Sequence, residues 1–171
     1  MKSKGIIKNT NIITIADFSQ PSWKKRLYVI DLVKGKLLFN TFVAHGVNSG
    51  LDYAKDFSNK PESFKSSPGF YVTSNTYNGN NGYSLKLKGI EKGINDNAEE
   101  RDIVVHGAAY VHENFIKMKG YIGRSFGCPS VPEKLSKPII NTIKNGTCLF
   151  IYSPDKNYIA SSQILHPKTV M

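Results

Sequence analysis

Residues 27–44, LYVIDLVKGKLLFNTFVA, contain two runs rich in strand-forming side chains that meet at Lys34-Gly35. Such runs on either side of a glycine-containing turn are typical of a β-hairpin. A second pair, GFYVTSN and YSLKLKG, flanks the Asn/Gly-rich segment TYNGNNG, which predicts another hairpin with a flexible tip. Three further strands are predicted at 11–18, 101–111 and 146–153. This density of strand signals favours a mostly β architecture.

One helix is predicted within SVPEKLSKPIINTIKNG, residues 130–146. Ser130 and Glu133 have the spacing of a capping box, and a main segment beginning at Ser136 would have Pro138 in its first turn. The apolar face of this helix is formed by Ile139, Ile140 and Ile143. We therefore expect a sandwich or part-closed barrel with one or two short helices.

The chain has 171 residues, a length that fits one domain. No apolar run is long enough to cross a membrane. The N-terminal segment GIIKNTNIITIA is a poor signal-peptide core, because Lys8, Asn9 and Asn11 interrupt it. No export signal is therefore evident in this sequence.

Basic residues outnumber acidic ones by 23 to 13, which gives a formal charge of +10. This charge favours an anionic partner: nucleic acid, a phospholipid surface, or an anionic polymer such as a bacterial cell wall. The lysines are scattered along the chain, so a solvated basic surface is the alternative. Neither a stripe of basic and aromatic residues nor a zinc-ligand spacing is present, and we expect no nucleic-acid partner.

The sequence has two cysteines, and their surroundings differ. Cys148 lies in the apolar run GTCLFIY, where a small buried hydrophobic residue is expected. Cys128 lies in GRSFGCPSV, between a glycine and a proline. Three roles are open for Cys128: a packing residue, half of a disulfide with Cys148, or a nucleophile at a tight turn.

A nucleophilic thiol at Cys128 needs oxyanion donors and a lowered pKa. Gly127 allows the backbone to turn sharply, so that the amides of Phe126, Gly127 and Cys128 can point at a developing oxyanion. The predicted helix begins a few residues later, and its positive N-terminal end favours a thiolate.

The base must come from one of four histidines. His106 follows the apolar run IVV and precedes a glycine, a position suited to catalysis. His45 is expected to be a polar strand end, His112 an exposed loop residue, and His166 incidental. A cysteine and a histidine at this separation do not by themselves decide between a catalytic and a structural cysteine.

The segments IVVHGAAYV and GRSFGCPSVP together resemble the L,D-transpeptidase catalytic domain, the YkuD-like family. The closest similarity is to the branch with a Gly-Arg-Ser-x-Gly-Cys-Pro segment. SSPGFYVTS, residues 66–74, resembles the family's Thr-Pro-x-Gly-x-Phe segment, and the first hairpin and the last strand also fall in family order. The resemblance implies a β-sandwich-like domain over 26–152. Residues 1–25 would then be an N-terminal arm or first strand, and 153–171 a C-terminal tail.

The resemblance also implies roles for individual residues. Cys128 matches the family's nucleophile, and His106 matches its base. The Gly107 carbonyl would orient the imidazole, and the amides near Phe126 and Gly127 would form the oxyanion hole. Much of the family has a second histidine before this glycine, where this chain has Phe126.

Three more residues are substrate-binding candidates, each with a structural alternative. Arg124 could pair with a substrate carboxylate or tie its loop to backbone carbonyls. Ser125 could bond beneath the thiol or simply fit the turn. Tyr110 could line the pocket or pack against its neighbours.

The function implied by the resemblance is acyl transfer between peptidoglycan stem peptides through a Cys128 thioester, which forms crosslinks. A carbapenem would then form an adduct at this cysteine. The alternatives are an L,D-carboxypeptidase or related hydrolase of the same peptides, and a non-catalytic basic module that binds the cell wall. The resemblance implies no metal and no organic cofactor. It further implies a bacterial protein, expected to be a monomer, in the periplasm or cell envelope.

Overall fold

The computed structural model describes residues 5–167 and contains one eight-stranded sheet. The strands are β1 (Ile12–Asp17), β2 (Leu27–Asp31), β3 (Lys36–Thr41), β4 (Gly69–Gly79), β5 (Gly82–Gly89), β6 (Val104–Ala108), β7 (Val131–Pro132) and β8 (Cys148–Tyr152). The helices are α1 (Glu113–Lys119), α2 (Glu133–Ile143) and α3 (Lys156–Ser161). The spatial order of the strands is β3-β2-β1-β8-β4-β5-β6-β7. The predicted mostly β fold with short helices is confirmed.

Both predicted hairpins are present, and the second is longer than predicted. β2 and β3 pair antiparallel on either side of the Lys34-Gly35 turn. β4 and β5 continue through most of the segment predicted as a flexible tip, with Gly79 opposite Gly82. Only Asn80 and Asn81 form the turn. Asparagine tolerates turn conformations well, so a two-residue connection suffices.

The strands at the two ends of the chain meet at the centre of the sheet. β1 pairs antiparallel with β2 and parallel with β8, and β8 pairs on its other side with β4. The segment predicted as an N-terminal arm or first strand therefore contributes a central strand. Residues 153–171 were predicted as a tail, and in their described part α3 buries Tyr158, whose hydroxyl donates to the Glu91 carboxylate.

α2 forms where a helix was predicted, but the predicted cap is wrong. The helix begins at Glu133, and Pro132 caps it without a side-chain hydrogen bond. Ser130 does not cap the helix because its hydroxyl is bonded to the His106 imidazole. Pro138 lies inside the helix rather than in its first turn. The predicted apolar face is fully buried and packs over β6, which fixes the helix beside the strand that carries His106.

Arg26 and His45 form a fully buried polar pair beneath the loop that follows β3. The Arg26 guanidinium donates to the Val43 carbonyl and to His45 Nδ1, at 2.8 Å. The opposite nitrogen, His45 Nε2, donates to the Gly50 carbonyl at 3.1 Å. The sequence predicted His45 as a polar strand end, but it is fully buried and joins Arg26 to the Gly50 carbonyl. Its imidazole is neutral, because Nδ1 must accept a hydrogen bond from a cation.

We predict that this pair makes the protein sensitive to acid. Burial, and secondarily the charge of Arg26, lowers the pKa of His45 from 6.5 to about 4. The unfolded chain thus binds a proton at His45 at a higher pH than the folded chain does. The free energy of unfolding should therefore be fully present above pH 6.5 and fall by about 3 kcal/mol as the pH drops to 4.

Denaturant unfolding at several pH values tests this prediction. His45→Asn keeps an acceptor near Arg26 but does not titrate, so its unfolding free energy should be lower at pH 7 and flatter across the window. His166→Gln, at an exposed position, should keep the wild-type slope. An identical pH slope in wild type and His45→Asn would refute the role of His45.

Candidate active site

The turn that carries Cys128 is held by its own neighbours. Ser125 Oγ donates to the Cys128 carbonyl at 2.6 Å and accepts from the Gly127 amide at 3.1 Å. Gly127 has φ +123°, and a Cβ there would lie 2.8 Å from the Lys65 carbonyl oxygen. Only glycine fits this backbone and this close approach. Ser125 thus stabilises the backbone of the turn that carries the cysteine.

The Cys128 side chain is half-buried against the start of β6. Its Sγ accepts from the Val104 amide and donates to the Asp102 carbonyl, each at 3.5 Å. Burial raises the pKa of this thiol, while the Val104 amide and the charge of Arg101 oppose that rise. Cys128 and Cys148 are both free, so the disulfide alternative is wrong. The thiol at rest is therefore protonated at neutral pH.

His106 is the central residue of β6 rather than its end. Its Nδ1 donates to the Gly107 carbonyl at 2.9 Å, which leaves Nε2 as the acceptor of the neutral ring. Nε2 receives the Ser130 hydroxyl at 2.8 Å. Burial lowers the pKa of His106, so the imidazole is neutral at pH 7.

The sheet register brings the cysteine segment alongside the histidine strand. β6 and β7 are parallel neighbours, with Gly107 opposite Val131. Cys128 therefore contacts the backbone of Val104, and Ser130 contacts the side chain of His106, two residues further along the same strand. Across the described residues no hydrogen bond joins the thiol to the imidazole, since each is bonded elsewhere.

The predicted oxyanion donors are not equivalent. The Gly127 amide is occupied by Ser125 Oγ, whereas within residues 5–167 the amides of Phe126 and Cys128 donate no hydrogen bond. These two amides are the available donors. The Phe126 side chain is 72% exposed and packs against Phe64 with ring centroids 4.8 Å apart. The position that holds a second histidine in much of the family thus presents an aromatic ring to solvent here.

Arg124 and Tyr110 both line a cavity of about 270 Å³. Arg124 Nη1 donates to the carbonyls of Val47 and Gly50, which is the structural role considered for it. Its guanidinium also lies over the Tyr121 ring, 5.7 Å from the centroid. The Tyr110 hydroxyl donates to Ser130 Oγ at 3.2 Å, so Tyr110 is connected to the base rather than only packed.

Two residues of the site were missed by the sequence analysis. Ser130, which the capping-box spacing predicts as a helix cap, is fully buried and donates a hydrogen bond to His106. Arg101 holds the loop at 58–67 by donating to the Ser58 and Lys65 carbonyls, and its charge stabilises the Cys128 thiolate. Ser130 could have been found from its place two residues after Cys128. Arg101 gave no signal, because only the fold brings it to the cysteine.

Comparisons with known proteins identify a family and a shared fold. The family described as L,D-transpeptidase catalytic domain matches the chain over residues 1–152. An L,D-transpeptidase from Mycobacterium smegmatis is similar in structure, with a TM-score of 0.52 and 13% identity, over 85% of this chain and 60% of that one. The helical cell shape determining protein Pgp2 from Campylobacter jejuni has a TM-score of 0.55 and 13% identity, over 88% and 49%. No curated protein matches the sequence.

These likenesses show a shared fold. This chain spans about three fifths of the mycobacterial chain and half of the Campylobacter chain. No helix in the described part of this chain is long and apolar enough to span a bilayer.

Proposed function

Because this chain belongs to the L,D-transpeptidase catalytic domain family, we propose that it is a cysteine acyltransferase that crosslinks peptidoglycan stem peptides. The observation that carries the proposal is the parallel pairing of β6 with β7, which follows Cys128 in the chain. It places the Cys128 thiol at the Val104 amide, two residues before His106, whose imidazole is oriented by the Gly107 carbonyl. The charge of +10 supports an anionic wall polymer as the surroundings of the enzyme, in the periplasm or cell envelope.

The reaction begins with two neutral groups. His106 Nε2 exchanges its bond to Ser130 for the thiol, and accepts the proton of Cys128. The thiolate attacks the carbonyl of an L-centre to D-residue bond, and the amides of Phe126 and Cys128 stabilise the oxyanion. The departing D-residue takes the proton back from His106. An acceptor amine then resolves the Cys128 thioester and completes the crosslink.

Arg124 and Tyr110 are the proposed contacts to substrate. Arg124 retains guanidinium nitrogens beyond the one bonded to Val47 and Gly50, and these suit a carboxylate. If water instead of an amine resolves the thioester, the same site is an L,D-carboxypeptidase. The choice between the two outcomes depends on whether an acceptor amine is bound and deprotonated.

Mass spectrometry of the protein with tetrapeptide-bearing muropeptides, and separately with a carbapenem, tests the function. We expect crosslinked muropeptide and a carbapenem adduct on Cys128 alone. Cys148 is only 7% exposed and burial raises the pKa of its thiol to about 11, so it serves as the internal control. Trimmed peptides without crosslinks would establish the hydrolase. The absence of any adduct would favour the wall-binding module.

A further inference from the structure

The hydrogen bonds around His106 have a fixed direction. Nδ1 faces the Gly107 carbonyl, which can only accept, so Nδ1 carries the proton of the neutral ring. Nε2 must then accept from Ser130, whose single hydroxyl proton is used in that bond. Tyr110 must therefore donate to Ser130 Oγ. The result is a directed chain from the Tyr110 hydroxyl through Ser130 to the base.

This hydrogen-bond chain starts at the cavity of about 270 Å³ lined by Tyr110, which we call the Tyr110 pocket. Its walls include three aromatic rings and two cations, contributed by Tyr110, Phe115, Tyr121, Lys119 and Arg124. None of the described residues that line it is acidic. Aromatic walls with two positive charges suit an organic ligand that bears a carboxylate.

Gly123 leaves the space in which the Tyr110 side chain of this hydrogen-bond chain lies. A Cβ on this residue would lie 2.4 Å from Tyr110 Cβ and 2.7 Å from its ring, so the tyrosine lies directly on the glycine backbone. The Gly123 amide in turn donates to the Tyr110 carbonyl at 2.9 Å. The ring is therefore held with its hydroxyl at Ser130, and Tyr110 is one of the residues that line the pocket.

We propose that Tyr110 and Ser130 form a proton relay that carries the proton of an acceptor amine, bound in the Tyr110 pocket, to His106. The proposal rests on the acyl-transfer function proposed above. It assigns the pocket to an acceptor that bears a carboxylate close to its amine, with Lys119 and Arg124 facing the carboxylate. The same two cations favour the neutral, nucleophilic form of the amine.

The step balances in atoms and protons. The amine nitrogen forms a bond to the thioester carbonyl carbon, and the carbon–sulfur bond breaks to give the Cys128 thiolate. The amine proton passes to the Tyr110 oxygen as the tyrosine proton passes to Ser130 and the serine proton to His106 Nε2. The imidazolium then returns a proton to the thiolate, which restores the neutral resting pair.

The relay acts when the acyl group is transferred to the amine, and not when Cys128 is acylated. During acylation, Ser130 competes with the thiol for Nε2, so removing its hydroxyl does not slow the attack of Cys128. During transfer, the same hydroxyl is the route by which the amine is deprotonated. A general base of this kind contributes about 10²–10⁴-fold to rate.

The test measures acylation of Cys128 and transfer to the amine separately, in Ser130→Ala and in Tyr110→Phe. Acylation is followed as the rate of the carbapenem adduct on Cys128, and transfer as the ratio of crosslinked to hydrolysed muropeptide. We expect both variants to lower the transfer ratio by about 10²-fold or more while acylation stays near wild type. The double variant should be no worse than either single one, because the chain is already broken. Tyr83→Phe, whose hydroxyl donates to Asn141 on the protein surface, is the matched control.

Two results would overturn the relay: a transfer ratio unchanged in both variants, or an equal loss of acylation and transfer, which would make Ser130 a support for the ring alone. If wild type forms no adduct at all, the proposed function fails instead. Nitrogen NMR of His106 then shows whether the hydrogen-bond chain exists. The chemical shift of Nε2 should change in both variants and stay the same in Tyr83→Phe. Unshifted Nε2 in Ser130→Ala would mean that the hydroxyl chain does not exist.

Discussion

Cys128→Ala is expected to lose turnover by about 10⁶-fold, the size of loss seen when a covalent nucleophile is removed. The thioester cannot form without the sulfur, because an alanine methyl group has no nucleophilic atom. Stability should hardly change, because within residues 5–167 the half-buried Sγ makes two hydrogen bonds, to Val104 and Asp102, and both are long. Muropeptide crosslinking and thermal unfolding of the purified variant check both halves of this prediction.

Cys148→Ala is the matched control, because it makes the same chemical change at a structural position. Cys148 is buried in β8, opposite Ile13 of β1 and Val72 of β4. Loss of its sulfur should leave crosslinking intact and lower the free energy of unfolding by about 1–2 kcal/mol. Full activity in Cys128→Ala, or loss of activity only in Cys148→Ala, would remove the proposed mechanism.

The sequence predicted local elements well because their signals are local. The hairpin at 27–44 and the strands around His106 and Cys148 were visible in runs of strand formers and turn residues. The assembly of these strands was not predicted. β8 follows α2 in sequence yet lies between β1 and β4, and that placement depends on contacts between residues that are 135 positions apart for β1 and 76 to 82 positions apart for β4.

In the candidate active site, too, local patterns could be predicted from the sequence and contacts between distant segments could not. The Gly-Cys-Pro and His-Gly segments could be predicted as parts of a site because each segment carries its own pattern. The network around them was not, since Ser130 reaches His106 only through the parallel pairing of β6 with β7. Ser130 also obeyed a capping pattern, and that local pattern competed with a tertiary hydrogen bond to a buried imidazole. The tertiary bond prevailed because an unpaired buried nitrogen costs more than an uncapped helix end.

The resting state that emerges is an uncharged one. Burial raises the pKa of the Cys128 thiol and lowers that of the His106 imidazole, so separating the proton between them is unfavourable before substrate binds. Arg101 offsets part of this cost by its charge beside the thiol. Because the thiolate is the reactive species, Cys128 becomes a nucleophile when a base accepts its proton.

His106→Ala is expected to lower crosslinking by about 10³–10⁴-fold at neutral pH, because it removes the base proposed to ionise a thiol whose pKa is raised. The loss should shrink as the pH rises. In the variant, each rise of one pH unit increases the thiolate fraction, and with it the rate, about tenfold until the pH reaches the thiol pKa. The rate of wild type rises far less, because His106 already accepts the proton at neutral pH. The rate of Cys128 acylation by a carbapenem, measured from pH 6 to 10 in both proteins, checks this dependence.

The controls for His106→Ala are other histidines. His166→Ala, at an exposed position in the C-terminal segment, should acylate like wild type across the whole range. His45→Asn should unfold more easily and, when assayed well below its melting temperature, acylate with a pH profile parallel to that of wild type. If His45→Asn instead showed the steeper profile, His45 would be the base. If His106→Ala were slow at every pH, the imidazole would act in a step other than ionisation of Cys128.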